Sequence, residues 1–375
     1  MRAERHDDDD GEDLILTTKE GWFQNALSGR VAGPVRKDMD QLASLSSASK
    51  KRYDQERRRW HARMPPLLTD PLRRLLEDLE PNLDANQQEG NRVKHSLVLD
   101  AEAGLGKTTA AVQFGIRLHR QRLDQHGPIT KGGHERIPVC FIQLTARTSQ
   151  KSLAIMLAEF YGLPNPYRST AQQLMRGVQR AMSQCRTELL IVDDVHFIVA
   201  DGRSVNGLSN HLKYLSNEFN TTFLLVGIGI RSSTLLSGAN PVTAQTTGRW
   251  KVFSMLPFQA TTNLHRKEWV GVLAGIESAL RLANMAEGAI RNDLADYLFI
   301  RTGGRIGSLM ELIRVGASLA ISTGAETLTE DLLDRVTLDI RSELGRDERA
   351  RQFARGALFA RPQKRIPKPS ADGLS

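Results

Sequence analysis

The chain has 375 residues, 40% of them hydrophobic, so it exceeds one average domain and can bury a substantial core. Its formal net charge of +8 favours a polyanionic partner, although surplus arginine also occurs in proteins that bind none. Two cysteines are present, Cys140 and Cys185, and neither has a Cys or His neighbour at metal-ligand spacing. We therefore expect two domains with flexible ends and two reduced structural thiols.

The beginning of the chain predicts a mobile segment over residues 1–49. Its first ten residues lack the apolar stretch of a signal peptide, and no later run approaches membrane-spanning length, so the sequence predicts a cytoplasmic protein that uses no membrane. The segment is acidic at first and then small and polar, with short helical pieces expected near Trp22 and Phe23.

Residues 50–95 are predicted to form a basic, helical lead-in. The stretch 50–61 mixes lysine and arginine with Tyr53 and Trp60, so it could contact nucleic acid or a partner subunit, or form a solvated helix face. Asp70 followed by Pro71 is typical of a helix N-terminus and predicts a helix to about residue 79.

From Ser96 onward, apolar strands alternate with helices. Because the strands are continuously apolar and separated by helices, they predict a parallel sheet covered on both faces, in an α/β nucleotide-binding domain over residues 96–257. Strands are predicted at 97–100, 137–144, 188–193, 222–227 and 252–253, and helices at 153–161 and 171–182.

After Pro257 the strand signals stop, and a separate helical lid is expected over residues 258–342. The segment 343–375 is predicted to be a disordered basic tail, because residues 349–368 carry seven Lys or Arg and no acidic residue. Such a tail adds salt-sensitive affinity for nucleic acid. The lid helices are predicted at 264–282, 286–300, 306–321 and 328–340, the last opened by a capping box from Thr327 to Glu330.

The stretch with the clearest chemistry follows the first strand and leads into a helix. Backbone N–H groups of a tight loop, together with the positive end of a helix, bind phosphate oxygens, and bulky side chains there would block the approach. The sequence therefore predicts a phosphate loop that binds ATP. Its predicted ligand-binding residues are Ala103, Gly104, Leu105, Gly106, Lys107, Thr108 and Thr109.

This loop departs from the G-x-x-x-x-G-K-[ST] pattern at its first glycine, where Ala101 stands. A methyl group is the smallest possible intrusion, so we interpret the loop as a tolerated variant. Lys107 is predicted to reach the β- and γ-phosphates, and the Thr108 hydroxyl to complete the Mg²⁺ shell. The alternative is a glycine-rich strand-to-helix turn without a ligand.

Two acids close the third strand, about 85 residues after Lys107. Asp193 is expected to orient the metal ion, as in phosphate-loop ATPases. Asp194 stands where many such enzymes have the Glu that polarises the attacking water, and its shorter side chain predicts slow hydrolysis. The pair could instead simply cap a strand end. His196, in the same turn, could act as a switch near the γ-phosphate or as a packing residue.

Further candidates follow the fourth strand, which ends at Gly227 to Gly229 without the polar residue that often contacts the γ-phosphate. This absence again predicts weak turnover. Arg249 precedes the fifth strand and could stabilise transition-state charge on a neighbouring subunit's nucleotide, or be a surface arginine. Arg305 opens a lid helix and could contact phosphate from the lid, or serve only helix-start packing.

Together these motifs resemble AAA+ ATPases of the TniB, TnsC and MuB kind, which serve DNA transposition. The resemblance spans roughly residues 50–340. The family more often has Asp-Glu-x-His at the second acid. The features that carry the resemblance are the phosphate loop, the Asp-Asp-Val-His turn at 193–196, Arg249, the Gly-Gly-Arg-Ile-Gly turn at 303–307, and the lead-in ending in Trp60 and His61.

The resemblance implies a protein that binds ATP and Mg²⁺ and assembles on double-stranded DNA as a homo-oligomeric ring or helical filament. It also implies recruitment or activation of a DDE-type transposase. In the family, DNA contacts come from basic and polar residues that face the central channel. Arg147 and Lys151 are the candidates here, and they could equally form a solvated helix start.

Two other functions stay open. One is a signalling or defence NTPase of the STAND type. The lack of sensor or effector repeats after the lid counts against it. The other is a helicase loader or clamp-handling ATPase with the same core.

Overall fold

The computed structural model describes residues 15–29, 32–86, 94–146, 148–197, 221–233 and 250–355, together with Leu212, Leu215 and Phe219. These residues belong to two compact units. Unit 1 takes the described parts of Met1–Ala32 and Asp70–Leu256, and unit 2 those of Gly33–Thr69 and Pro257–Ser375. The lead-in expected over residues 50–95 is therefore divided at Asp70 between the two units.

As the sequence predicted, unit 1 is built on a five-stranded parallel sheet. Its strand order is β2-β3-β4-β1-β5. The first four strands are almost entirely buried and apolar, whereas β5 is a half-exposed edge strand. The strands are β1 (Ser96–Ala101), β2 (Val139–Gln143), β3 (Leu189–Asp193), β4 (Thr222–Gly227) and β5 (Trp250–Met255).

Helices cover this sheet and make up the second unit. A short π-helical turn, Ala289–Asp293, comes before the helix Ala295–Thr302. Among the described residues the helices are α1 (Lys19–Leu27), α2 (Met39–Ala43), α3 (Ser47–Ala62), α4 (Asp70–Asp84), α5 (Lys107–His126), α6 (Gln150–Phe160), α7 (Ala171–Gln184), α8 (Asn263–Ala279), α9 (Ala295–Thr302), α10 (Ile306–Thr323), α11 (Glu330–Asp334), α12 (Ile340–Leu344) and α13 (Arg346–Ala354).

Helix α7 shows how the apolar pattern places a helix on the sheet. Leu174, Val178 and Met182 recur every fourth residue, so they share one helix face, and all three are buried in the core of unit 1. Thr170 caps its first turn by accepting a hydrogen bond from the Gln173 backbone N–H at 3.2 Å.

Helix α1 lies within the predicted mobile segment, where the sequence predicted short helical pieces near Trp22 and Phe23. Trp22 is fully buried and stacks on Phe141 of β2, with ring centroids 5.8 Å apart. Its Nε1 donates a hydrogen bond to Nδ1 of His119 at 3.2 Å. Gly115 on α5 makes room for the ring, because a Cβ there would lie 2.7 Å from it. Tertiary packing, rather than local propensity, therefore stabilises this helix.

In unit 2, the core surrounds Trp269 of α8. Its ring packs edge-to-face on Phe299 with centroids 5.5 Å apart, and its Nε1 donates to the Ala295 carbonyl at 2.9 Å. By length and mean hydropathy (18 residues, 1.3), α10 could cross a membrane, although the sequence predicted no such run. Leu309 and Leu312 of this helix are fully buried in the core of unit 2, which also accounts for its apolar composition.

The predicted helix over residues 328–340 is wrong. A short α11 replaces it, and its N-cap is Thr329 rather than Thr327. The helix ends early because the guanidinium of Arg301 donates to the carbonyls of Leu333 at 3.0 Å and Val336 at 2.7 Å. These bonds satisfy acceptors that a longer helix would have paired internally.

The first part of the predicted disordered tail is helical instead. Residues 346–354 form α13, and Arg349 donates to the carbonyls of Ile300 and Ser342, both at 2.6 Å. The segment 356–375 lies outside the described residues.

The Arg-rich helix α3 buries one face in unit 2. Arg57 is fully buried, and its two terminal nitrogens donate to the Glu326 carboxylate at 2.5 and 2.6 Å. Trp60 donates to the Ala279 carbonyl at 2.7 Å, and His61 accepts from the Arg281 backbone N–H at 2.9 Å. The interpretation of α3 as only a solvated face is therefore wrong for these residues.

Glu326→Gln is expected to destabilise unit 2 by about 3 kcal/mol, because it leaves the Arg57 charge buried with weaker compensation. Urea unfolding of the native chain and the variant measures this difference. Glu311→Gln, which changes an exposed acid of the same unit, is the control and should change stability little. A Glu326→Gln variant as stable as the control would contradict the importance of this ion pair.

Two buried histidines should make the folded chain less stable in mild acid. Burial, with Arg120 nearby, lowers the pKa of His119 from 6.5 to about 4. Burial, with Arg57 and Arg281 nearby, lowers the pKa of His61 from 6.5 to about 4. At pH values between the folded and the unfolded pKa, these histidines bind protons in the unfolded chain but not in the folded chain. The free energy of unfolding therefore falls as the pH drops, by up to roughly 3 kcal/mol per histidine.

Urea unfolding from about pH 7.5 to about pH 5 measures this loss. The His119→Gln variant should reduce the pH dependence of the unfolding free energy of unit 1. An unfolding free energy independent of pH in this range would contradict the prediction.

Candidate nucleotide-binding site

The loop between β1 and α5 has the backbone shape that phosphate binding requires. Gly104 and Gly106 have φ angles of +76° and +79°, which favour glycine. Gly106 is the N-cap residue of α5 and provides no side-chain cap. The amide groups of the first helical turn are therefore left available to an anion. Leu105 is buried and anchors the loop.

Lys107 lies in the first turn of α5, and its side-chain nitrogen folds back onto the loop. Nζ donates to the Glu102 carbonyl at 3.0 Å. Burial lowers the pKa of Lys107, an effect opposed by Asp193, Asp194 and Asp100. The ammonium group is thus held beside the loop among carboxylates.

Thr108 and Asp193 are brought together, as the sequence predicted. The Thr108 hydroxyl donates to Oδ2 of Asp193 at 2.6 Å, and Oδ1 accepts from the Asp194 backbone N–H at 2.8 Å. Asp193 is fully buried, and burial raises its pKa against these hydrogen bonds. A hydroxyl and a carboxylate at hydrogen-bond distance are the hard oxygen ligands that Mg²⁺ takes, with phosphates and waters completing its shell.

Thr108 and Asp193 are two oxygen donors that the structure brings together at this site. In the part of the chain that the structure describes, no group of three or more His, Cys, Asp or Glu could hold a metal ion by itself. The residues therefore fit a magnesium ion that arrives with a nucleotide, rather than a resident metal.

Asp194 follows with a left-handed backbone, φ +58°, which Asp and Asn tolerate better than most residues. Its Oδ2 accepts a hydrogen bond from Gln143 Nε2 at 2.8 Å. His196 Nδ1 lies 3.7 Å from Oδ1 of Asp194, beyond hydrogen-bond distance. The second acid is thus oriented by the glutamine, while His196 stays a candidate switch.

Gln143 is a site residue that sequence reasoning missed. It ends β2 and pairs in register with Asp193 at the end of β3. The available signal was a polar residue at the end of an otherwise apolar strand.

Close packing at the end of β4 explains why this strand ends in glycine rather than in a polar residue. A Cβ on Gly227 would lie 3.0 Å from the His196 backbone nitrogen. The Val195 N–H donates to the Val226 carbonyl at 3.0 Å, so the turn after β3 runs close to this strand end. Glycine therefore lets the turn approach without a shift of its backbone.

The other predicted site residues are Arg147, Lys151, Arg249 and Arg305. Arg147 and Arg249 lie outside the described residues. Lys151 is exposed in the first turn of α6. Arg305 belongs to unit 2 and precedes α10, after Gly304, whose Cβ would clash with the Phe258 carbonyl at 2.1 Å.

A family model described as an AAA domain matches residues 91–232. The matched segment is an AAA domain, and the chain has the AAA+ P-loop ATPase fold. Its matched segment contains β1 to β4, the phosphate loop and the Asp193–Asp194 pair. The AAA+ part of the predicted resemblance is confirmed, whereas the narrower likeness to TniB, TnsC and MuB stays a prediction.

Two solved structures have the same fold as this ATPase. The Aeropyrum pernix ORC1 protein, in complex with DNA, aligns with a TM-score of 0.54 and 17% identity over 78% of this chain and 70% of that chain. The Aeropyrum pernix ORC2 protein, in ADPNP–ADP complexes, aligns with a TM-score of 0.53 and 14% identity over 69% and 66%. No curated protein sequence matches this chain. The alignments span about two thirds of each ORC chain.

Proposed function

We propose that this ATPase binds Mg²⁺-ATP between the phosphate loop and the Asp193–Asp194 pair, and that the bound triphosphate controls assembly of its copies on double-stranded DNA during transposition. The observation that carries the nucleotide half is the 2.6 Å hydrogen bond between the Thr108 hydroxyl and the Asp193 carboxylate, beside the Lys107 ammonium. A hydroxyl, a carboxylate and an ammonium group are the side chains that a phosphate-loop ATPase uses to bind Mg²⁺ and phosphate, which supports the proposal.

The roles of the site residues follow from their chemistry. The backbone of residues 103–109 would bind phosphate oxygens, and Lys107 would contact the β- and γ-phosphates. Thr108 and Asp193 would hold Mg²⁺, which when bound neutralises charge on the phosphates. Asp194 would orient and deprotonate the attacking water, in the orientation that Gln143 supports.

The combination of binding and slow turnover suits a switch better than a motor. Asp194 has a shorter reach than glutamate, and β4 ends in Gly227, which has no side chain to contact a γ-phosphate. We therefore propose that the ATP-bound state is long-lived and that hydrolysis resets the assembly.

The DNA half of the proposal rests on charge and on the fold. The chain has a formal net charge of +8, and the structurally similar ORC1 protein was solved in complex with DNA. Exposed Lys151 remains a candidate contact, with Arg147. We propose that an ATPase acting on target DNA works in the cytoplasm, as expected from the sequence.

A DDE-type transposase as partner follows from the sequence resemblance alone. A second candidate function is a helicase loader or replication-initiator ATPase, which the fold similarity to ORC proteins favours. Neighbouring genes discriminate between the two: an integrase-like transposase gene supports transposition, and replication genes support the second function.

The test of the proposed function is duplex DNA binding by the full chain, measured by fluorescence anisotropy with ATP, with ADP and without nucleotide, always with Mg²⁺. We expect ATP to strengthen binding about tenfold or more, which is roughly 1.4 kcal/mol or more. Equal DNA affinity in all three conditions would contradict the coupling between nucleotide and DNA.

Arg249 provides a separate prediction for the homo-oligomer. If it acts on a neighbour's nucleotide, mixing Arg249→Ala with Asp194→Asn subunits should restore part of the ATP hydrolysis that each variant has lost. Phosphate release at several mixing ratios measures this recovery. No recovery at any ratio would count against action in trans.

A further inference from the structure

Unit 1 has a second concave site, at the edge of the sheet opposite to the phosphate loop. It is a cavity of about 730 Å³. Lys94, Glu188 and Thr221 line it, and they lie just before β1, β3 and β4 respectively. Because the strands are parallel, their amino ends share one edge, and the phosphate loop lies at the other. The cavity is therefore distinct from the nucleotide site.

Positive charge dominates the lining of this cavity. Glu188 is the acid among the lining residues, and it already accepts hydrogen bonds from Arg122 Nε on both carboxylate oxygens, at 3.1 and 2.9 Å. An anion entering the cavity would thus meet a neutralised acid and several cations. The lining cations are Lys94, Arg136, Arg180 and Arg186.

The arginines keep donors available for a ligand. Arg180 and Arg186 are exposed, and neither side chain has a hydrogen bond or ion pair with any residue that the structure describes. Arg136 uses Nε on the Gly127 carbonyl at 2.9 Å, which leaves its two terminal nitrogens. Burial lowers the pKa of Lys94, so an anion nearby would stabilise its charged form.

The shape of the cavity favours a long anion over a small enclosed one. Its floor is formed by buried side chains such as Met182 and Phe219, whereas Arg180 and Arg186 lie on the exposed surface. Arg176, one turn before Arg180 on α7, extends the basic surface beyond the cavity. A polymer can place phosphates on such a rim without being enclosed, and arginine forks match phosphate geometry.

We propose that this cavity and its arginine rim bind the phosphodiester backbone of duplex DNA. The inference rests on the proposed function only in taking DNA as the partner, and it names a contact surface remote from the ATP site. Phosphate contacts of this kind contribute affinity without reading base sequence.

The experiment measures binding of a fluorescent duplex to the full chain across a salt series, with Mg²⁺-ATP present. The test variant is Arg180→Gln with Arg186→Gln. The control variant is Arg168→Gln with Lys131→Gln, which removes the same charge from exposed positions of unit 1 outside the cavity. ATP binding and the urea unfolding midpoint of each variant verify that the fold is intact.

We expect the test variant to bind duplex at least about tenfold more weakly, with a salt slope smaller by about two, and the control to stay within about twofold of the native chain. Test and control variants with equal affinity would overturn the assignment of this cavity while leaving the proposed function standing. Binding of inorganic pyrophosphate at the cavity without any effect of the variant on duplex binding would also overturn it. If the native chain binds no duplex, the proposed function is contradicted. This inference then fails as well, because it takes DNA as the partner.

Discussion

Lys107→Ala is expected to weaken Mg²⁺-ATP binding by at least about a hundredfold, or roughly 3 kcal/mol. Nζ of Lys107 contacts the Glu102 carbonyl at 3.0 Å and lies among Asp100, Asp193 and Asp194. Without the ammonium group, a triphosphate would meet these carboxylates without the positive charge that Lys107 places beside the loop. Repulsion therefore adds to the lost contact.

Isothermal titration of the native chain and the variant measures this loss. Lys251→Ala is a suitable control, because Lys251 also belongs to unit 1 but lies on the edge strand β5 and donates to Asn82 at 2.6 Å. Its ATP affinity should match that of the native chain. A Lys107→Ala variant that binds ATP as well as this control would refute the role of the loop.

Asp194→Asn is expected to lower ATP hydrolysis about a hundredfold or more while keeping ATP affinity within about threefold, since general bases contribute effects of this size. The substitution is structurally clean, because asparagine tolerates the left-handed backbone, φ +58°, as aspartate does. ATP-dependent assemblies on DNA should then persist longer than those of the native chain.

Gln143→Ala is the companion variant, since it removes the 2.8 Å hydrogen bond to Asp194 but keeps the acid. We expect a smaller loss of hydrolysis, about tenfold, because orientation rather than the base itself is affected. Steady-state phosphate release at saturating ATP measures both variants. Hydrolysis by Asp194→Asn at the native rate would exclude Asp194 as the base.

The sheet could be predicted closely because its signal is local. Strand β4 begins and ends where its apolar run does, at Thr222 and Gly227, and β2 and β3 differ from their predicted bounds by two residues or fewer at either end. A strand buried on both faces must be continuously apolar, so it is visible in the sequence. The half-exposed edge strand β5 was recognised only at its centre, over 252–253.

The sequence could not predict how the helices pack, because their packing depends on contacts distant in sequence. Trp22 of α1 packs on Phe141, and Arg57 of α3 pairs with Glu326, which lies 269 residues later. The predicted helix after Leu328 is cut short by hydrogen bonds from Arg301. A local sequence pattern does not indicate which residues pair over such separations. A helical period, in contrast, can be recognised without knowing those partners.

In the site, the sequence predicted that Thr108 and Asp193 meet, but it missed Gln143, which orients Asp194. Thr108 and Asp193 are joined because β1 and β3 end at the same edge of a parallel sheet. Gln143 became visible only through the pairing of β2 with β3. Arg305 lies in the other unit, so its contact with phosphate stays a prediction.

The central claim is that ATP held by Lys107, Thr108 and Asp193 decides whether copies of this chain assemble on duplex DNA. Electron microscopy of the full chain with a long duplex, in the presence of Mg²⁺ and either a slowly hydrolysed ATP analogue or ADP, tests it most directly. We predict regular rings or filaments on the DNA with the analogue and bare DNA with ADP. Bare DNA in both samples, or the same coating in both, would contradict the claim.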